Sequence, residues 1–457
     1  MITERIAKFI VETNDHDIPD EAIKVAKKCL VDTMGVALAG SKQPEAGILG
    51  ELVKDFGGKP EAGVIASGFK TSAPLAAFAN GTMAHALDYD DISTKFLAHP
   101  SVNLVPAILA LGETKRISGK EALASYVIGF EVGANLGSIM GMTFFGRGWH
   151  ATSILGSVGA AGAASKILEL GVQETRVALG IAASLAGGLK INFGSMTKPL
   201  HAGNAARNGI LAAILAEKGF TANESVFEGP NGFCEVYTGT ECDLKNLGGT
   251  IGKIWYIVSP GVKFKPYPCC GSVIACADAI LELKRKYNIL PNEVTEIECR
   301  VSPLMIKTGS SIHSPKTGQE GRFSLEYDMA IAIMDGELSL KQYTDEKVNS
   351  PTAQELMKKV KITFPEGIGM GMEEPQEVVV KLKNGRQYAC KVEKHKGTAE
   401  NPLTDEELFS KFRDCASLVL SPEGIEEVLH MVWRLDESKD ILRLMELLTF
   451  GKSVPIR

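Results

Sequence analysis

The chain has 457 residues, too many for one ordinary core, which sets an expectation of two domains. Its apolar share of 45% and charged share of 23% are ordinary for a globular protein, so apolar material to bury is ample. The formal net charge is −6, and apart from Lys284–Arg285–Lys286 the basic residues are scattered. That argues against a nucleic-acid footprint, which needs basic residues gathered on one face.

Met1 to Asn14 mixes charged and apolar residues and reads as a short amphipathic helix, without the unbroken apolar core of a secretory signal. No unbroken stretch reaches the roughly 18 apolar residues of a bilayer-spanning helix, so no membrane partner is expected. The nine cysteines, from Cys29 to Cys415, have neither disulfide-framework nor zinc spacing. Reduced thiols in a cytoplasmic protein are the expectation.

From residue 20 to about 260 the pattern is helical. Asp20-Glu21 opens a helix with apolar positions at Ile23, Ala26, Leu30 and Met34. Between Ser153 and Leu170, Gly156, Gly159 and Gly162 lie among alanines, which suits a central helix approached closely by its neighbours. Lys265-Pro266-Tyr267-Pro268 breaks the pattern. A helix is then expected from Ser272 to about Tyr287, and strands at Val294–Val301 and Lys359–Phe364. Glu377–Leu382 and Gln387–Val392 flank Asn384-Gly385, a strong hairpin signal. The reading is a mainly α protein with a smaller α+β domain. The helical domain spans 1–267 and is completed by 398–457, and the α+β domain spans 268–397.

Three polar clusters carry candidate chemistry. The run HALDYDDISTKFLAHPS brings His85, Asp88, Asp90, Asp91, Ser93 and His99 together. If its first part is helical, Asp88 and Asp91 share a face, and crowded carboxyls raise one apparent pKa into a useful range. His99, held extended before Pro100, is a credible general acid or base. The same residues serve equally well as helix caps and a satisfied turn histidine. DYDD also offers oxygen ligands suited to Mg²⁺, but the second acidic cluster that such sites generally need is not evident. In the second cluster, GRGWHATS, His150 falls near the N-terminus of the small-residue helix, where N–H groups favour an anion. There Thr152 and Ser153 either bind or cap. In the third, Pro199 is expected to keep Lys198 out of the following helix, at a junction where a cation can meet a carboxylate.

Together the runs NGTMAHALDYDD, HPSVNLVPAILALGE, GWHATSILGSVGAAGAASK, MTKPLHAGNAARNG, KPYPCC and TGQEGRFSLEY resemble the MmgE/PrpD family of dehydratases, decarboxylases and epimerases. The resemblance implies a large all-helical domain with a smaller α/β lid, a homodimer, and a site between the domains. Carried over by motif, the catalytic set is His99, His150, Lys198, Asp88, Asp91 and Tyr327. Lys265, Arg322, Ser93, Thr197 and His201 are the implied substrate contacts. No metal or organic cofactor is implied, and the substrate is a small di- or tricarboxylate.

Three positions depart from the family pattern. Ile92 stands where dehydratase and decarboxylase relatives commonly have Thr, and Cys270 where the decarboxylases carry His. Phe145 stands where the epimerase-like branch has Tyr. The leading expectation is a lyase of the 2-methylcitrate-dehydratase type, acting by proton transfer next to a carboxylate. His99 would serve the carbon, His150 the departing hydroxyl, and Lys198 with Lys265 the developing charge. Epimerisation of an amino- or imino-dicarboxylate and cis-aconitate-type decarboxylation are the alternatives, and a non-catalytic anion-binding protein is a further one.

Overall fold

The computed structural model describes residues 1–240, 242, 244, 249–308, 310–366 and 374–451, and it is mainly helical with one small mixed sheet. Residues 1–263, with those from 404 onward, form one unit, and residues 264–403 form the other.

In the larger unit α1 (Ile2–Glu12) buries Thr3, Ile6, Ala7 and Ile10, a stripe at helical spacing. Next comes α2 (Asp20–Gly40), with Asp20 and Glu21 in its first turn complementing the helix dipole. After α3 (Pro44–Phe56), β1 (Ala62–Gly63) pairs antiparallel with β2 (Lys70–Thr71). The remaining long helices before residue 263 are α4 (Ala73–His85), α5 (Ser101–Lys115), α6 (Gly119–Gly146), α7 (Ala151–Ile167), α8 (Val172–Leu185) and α9 (Thr197–Glu217). The small-residue helix α7 is central: every residue from Ala151 to Ser165 is buried, against α5, α6, α8 and α9.

Glycines set the crossing of α4 and α9. A Cβ at Gly203 would lie 2.0 Å from the Phe78 carbonyl oxygen, and one at Gly81 would lie 2.8 Å from the Gly203 Cα. Only bare backbones fit there, and this contact brings the start of α9 beside the end of α4. Gly203→Ala is therefore expected to cost at least about 1–3 kcal/mol by overpacking. Gly47→Ala, in open space on α3, is expected to be neutral or stabilising. Urea midpoints of the two variants test this contrast.

The long helix α6 corrects the sequence reading. By length and composition it is apolar enough to cross a membrane, although Ser125, Tyr126, Glu131 and Asn135 interrupt its apolar run. Most of it is buried within this unit against α5 and α7, as in a core helix. Gly141, at φ +58°, breaks it near its end.

Beyond residue 403 the chain adds the helices Asp405–Ala416, Pro422–Trp433 and Leu442–Phe450 to the larger unit. Thr404 and Glu407 form a capping box at the start of the first, which packs on α2. Its Lys411 reaches Asp32 at 2.7 Å and donates to the Tyr89 carbonyl at 2.6 Å.

The smaller unit is a four-stranded sheet in the order β4-β3-β5-β6, with helices packed on it. β3 (Val294–Arg300) runs parallel to β4 (Val360–Thr363) and antiparallel to β5 (Gln376–Leu382), with Ile297 opposite both Val360 and Val380. β5 and β6 (Gln387–Val392) form the expected hairpin, whose Gly385 takes φ +80°. The helices Ile274–Tyr287 and Leu325–Asp335 complete a core that includes Ile280, Ile297, Ile331, Val378 and Val380.

Candidate active site

The decisive local feature is where α4 stops. A helix carried through Asp91 would set Asp88 and Asp91 on one face, but α4 ends at His85 and Asp88 takes φ +50°. This left-handed turn aims the three aspartates at different partners. Asp90 folds back, placing both carboxylate oxygens 3.0 Å from His85 Nδ1, and its Oδ2 lies 2.8 Å from His99 Nδ1. One carboxylate thus hydrogen-bonds His85 and stands in close contact with His99, the two rings being 4.8 Å apart.

Lys198 closes the group. Its Nζ donates to Asp88 Oδ1 at 2.5 Å and to His85 Nε2 at 2.9 Å. An ammonium has no acceptor, so His85 Nε2 accepts and the His85 proton sits on Nδ1, facing Asp90. His99 Nε2 is 4.0 Å from Asp88 Oδ1. His85, Asp88, Asp90 and Lys198 are buried, whereas the His99 side chain keeps 15% exposure, the most of any group in the cluster. His99 is therefore the member best placed to meet a bound molecule.

Burial governs the charges. It pushes the His85 imidazole down to about 4, with Lys198 adding to the effect and Asp90 opposing it. Burial also holds His150 well below its ordinary value and His201 at about 4, each helped by the Lys198 charge. All three are neutral at pH 7. Burial alone would raise Asp90, but the facing His85 and His99 outweigh it and hold that carboxyl well below its usual range.

His150 is the N-cap of α7, as its position in the sequence suggested. Its N–H donates to the Gly188 carbonyl at 3.0 Å, beside a bridge between Trp149 and Leu189. Its Nδ1 lies 3.0 Å from His201 Nδ1, so one of the two rings donates and the other accepts. Phe193 meets the His150 ring edge-on at 4.9 Å, and His85 stacks on it at 5.8 Å. Ser153 Oγ donates to the His201 carbonyl at 3.1 Å, and Thr152 Oγ1 is 3.5 Å from the His99 nitrogen. The imidazolium acid imagined for His150 does not suit this setting, because a buried ring beside Lys198 resists a second charge.

Lys198 is likewise not outside the helix. It lies in the first turn of α9 and is buried, with Pro199 following in that turn, where a missing N–H costs little. Thr197 is the first residue of α9 and half-buried. Ser93 is buried, and its Oγ accepts from the Phe96 nitrogen at 3.3 Å, bracing the loop. Asp91 turns away from the imidazoles toward Ser101. The other three expected site residues belong to the smaller unit and are all buried. Lys265 is its second residue, and the Arg322 carbonyl accepts from the Cys270 nitrogen at 2.8 Å. Tyr327 lies on Leu325–Asp335 with its hydroxyl donating to the Gln342 carbonyl.

Residues 4–244 match the MmgE/PrpD N-terminal domain and residues 267–437 the MmgE/PrpD C-terminal domain. The chain belongs to the MmgE/PrpD family. Over nearly its whole length it is also similar to cis-aconitate decarboxylases. Identity to that of Mus musculus is 28% over 470 residues, covering 99% of this chain and 94% of the relative. The enzyme of Aspergillus terreus is 28% identical over 479 residues, covering 100% and 97%. That of Homo sapiens is 29% identical over 466 residues, covering 99% and 95%.

In this MmgE/PrpD chain the motif carry-over left out His85 and Asp90, although both stand in the run that shows the family resemblance. The five-residue spacing from His85 to Asp90 is the available signal, but it becomes a contact only through the turn at Asp88. His85, Asp88, Asp90 and His99 also bring four donor atoms within 4.8 Å of one another, a set able to hold a metal ion. Lys198 already brings a positive charge to that point, bonded to two of the four residues.

Proposed function

We propose that this MmgE/PrpD protein is a carboxy-lyase that removes CO₂ from an unsaturated polycarboxylate of the cis-aconitate type and delivers a proton to the carbon skeleton. The carrying observation is the buried Lys198 ammonium, fixed between Asp88 and neutral His85 beside the more accessible His99. Similarity to decarboxylases along nearly the full length supports the same reading.

In the reaction a C–C bond to one carboxylate breaks and CO₂ departs. The bonding pair passes into the conjugated skeleton and onto a remaining carboxylate, and one proton is added at carbon. Lys198 stabilises the accumulating negative charge through a cation already in place, so little reorganisation is needed as charge develops. His99, whose Nδ1 faces Asp90 at 2.8 Å, supplies the proton from its other nitrogen. Dehydration of a hydroxy acid would use the same charge stabilisation but also needs an acid for the departing hydroxyl. His150, the group expected in that role, is held neutral by burial.

Proton NMR of the protein in D₂O with cis-aconitate, citrate-like hydroxy acids and amino-dicarboxylates tests the reading. The expected result is CO₂ release from cis-aconitate with one deuterium placed on carbon. Loss of water from a hydroxy acid without CO₂, or exchange with inversion alone, would overturn it.

A further inference from the structure

We propose that Asp91 is a positioning residue for His99, closing the neck of the loop that carries it by clasping Ser101 through both of its carboxyl oxygens. The inference rests on the reading of His99 as the proton-transfer group.

The loop between α4 and α5 is held at several points. Ile92 and Lys263 exchange two backbone hydrogen bonds at 2.8 Å, and Ser93 pairs with Ala98. Phe96 is buried, its ring 6.0 Å from that of Phe130. Asp91 stands at one end of this loop, and Ser101, the first residue of α5, stands at the other, two residues past His99. Asp91 Oδ1 is 3.3 Å from the Ser101 nitrogen, Oδ2 is hydrogen-bonded to Ser101 Oγ, and that Oγ lies 2.6 Å from Tyr126 OH. Asn103, one helical turn on, donates to the His99 carbonyl at 2.9 Å.

Every element packed around Asp91 contributes a polar or titratable group: Cys29 and Asp32 from α2, Ser101 from α5, Tyr126 from α6, and Asp90 beside it in the chain. Lys411, from the helix Asp405–Ala416, pairs with Asp32, and among the described residues no lysine or arginine pairs with Asp91. Burial and the Asp32 charge push the Asp91 carboxyl up to about 8. Neighbouring aspartates therefore hold opposite states at pH 7, Asp90 ionised before two imidazoles and Asp91 protonated before a serine and a tyrosine. An un-ionised carboxyl has one donor and one acceptor. It can accept from the Ser101 N–H and donate to Ser101 Oγ, which passes its own hydrogen to Tyr126. Asparagine reproduces that pattern; alanine does not.

The linkage has a definite sign. Because the folded value lies above the ordinary 3.8, the folded state keeps a proton that the unfolded state loses between those values. Stability from this group is therefore full below 3.8 and declines as pH rises toward 8. Above that, the neck holds a carboxylate facing Asp32.

The test compares Asp91→Asn and Asp91→Ala in the whole protein, by kcat and KM against pH and by melting temperature against pH. Asp91→Ala is expected to lower kcat by up to ~10²-fold through misplacement of His99, with KM little changed. Asp91→Asn is expected to recover at least about tenfold of that loss and to remove an alkaline fall in kcat centred near pH 8. Its melting temperature is expected to vary less than the wild type's between pH 5 and pH 8. If asparagine is as damaging as alanine at pH 7, or leaves both pH dependences unchanged, the proposal is overturned. The melting curves need no substrate, so they decide the state of Asp91 even where the proposed reaction fails.

Discussion

Lys198→Ala is expected to lower kcat/KM by ~10²–10³-fold, the usual effect of removing a preorganised charge-stabilising donor. The geometry argues for the upper part of that range. Lys198 Nζ is the cation bonded at once to Asp88 Oδ1 and His85 Nε2, within a buried cluster. Its removal deprives the Asp88 carboxylate of its bound ammonium and the His85 acceptor of its donor. Truncating one partner of a buried pair typically costs about 3–5 kcal/mol, so the urea midpoint should fall as well. Lys198→Met keeps most of the side-chain volume, so it removes the cation and its two hydrogen bonds without the cavity that alanine would add. Arginine should not rescue, since a planar guanidinium does not present a single nitrogen to both acceptors in this way. Steady-state kinetics on the folded fraction decides the matter: a Lys198→Met protein within tenfold of wild type would remove Lys198 from the mechanism.

How far these features could be read from the chain depends on which physical signal each one leaves. Helical periodicity placed α2 at Asp20, and Asn384-Gly385 placed the β5–β6 hairpin, because each is written locally: one as buried spacing, the other as a left-handed turn. His150 at the start of α7 was legible for the same reason. The mainly α fold with a smaller α+β part follows from such local signals added together. The site was only partly legible. Its aspartates occupy consecutive or near-consecutive positions, and their partners depend on one backbone angle, the positive φ of Asp88. No periodicity reports that angle, so the spacing sets Asp88 and Asp91 on one face only if the run is helical, and it leaves the His85–Asp90 contact unseen. The burial of Lys198 was hidden similarly, since it results from the glycine-to-glycine crossing of α4 and α9, a contact between segments far apart in the chain.

Asp90→Asn is expected to be the more damaging of the two aspartate-to-asparagine changes, by up to ~10⁴-fold in kcat, although Asp91 is its immediate neighbour. Asp90 accepts from Nδ1 of His85 and faces Nδ1 of His99 at 2.8 Å. An amide can accept with one atom only and turns its N–H₂ toward the other ring, so at least one imidazole must move its proton to Nε2. For His85 this sets an N–H against the Lys198 ammonium, donor against donor, and Lys198 loses one of its two anchors. For His99 it moves the proton onto the nitrogen nearest Asp88 and removes the carboxylate that faces its Nδ1. Either change disturbs both proposed functions at once, the proton carrier and the cation. The prediction is checked by kcat at pH 7 and by nitrogen NMR of the two rings, which reports the tautomer directly. An Asp90→Asn protein with unchanged tautomers and near-wild-type kcat would show that the carboxylate is only a structural brace. Opposite outcomes for the adjacent pair, severe loss at Asp90 and rescue at Asp91, would follow from the charge state each carboxyl holds: one must be an anion to orient two imidazoles, and the other must keep its proton to close the loop.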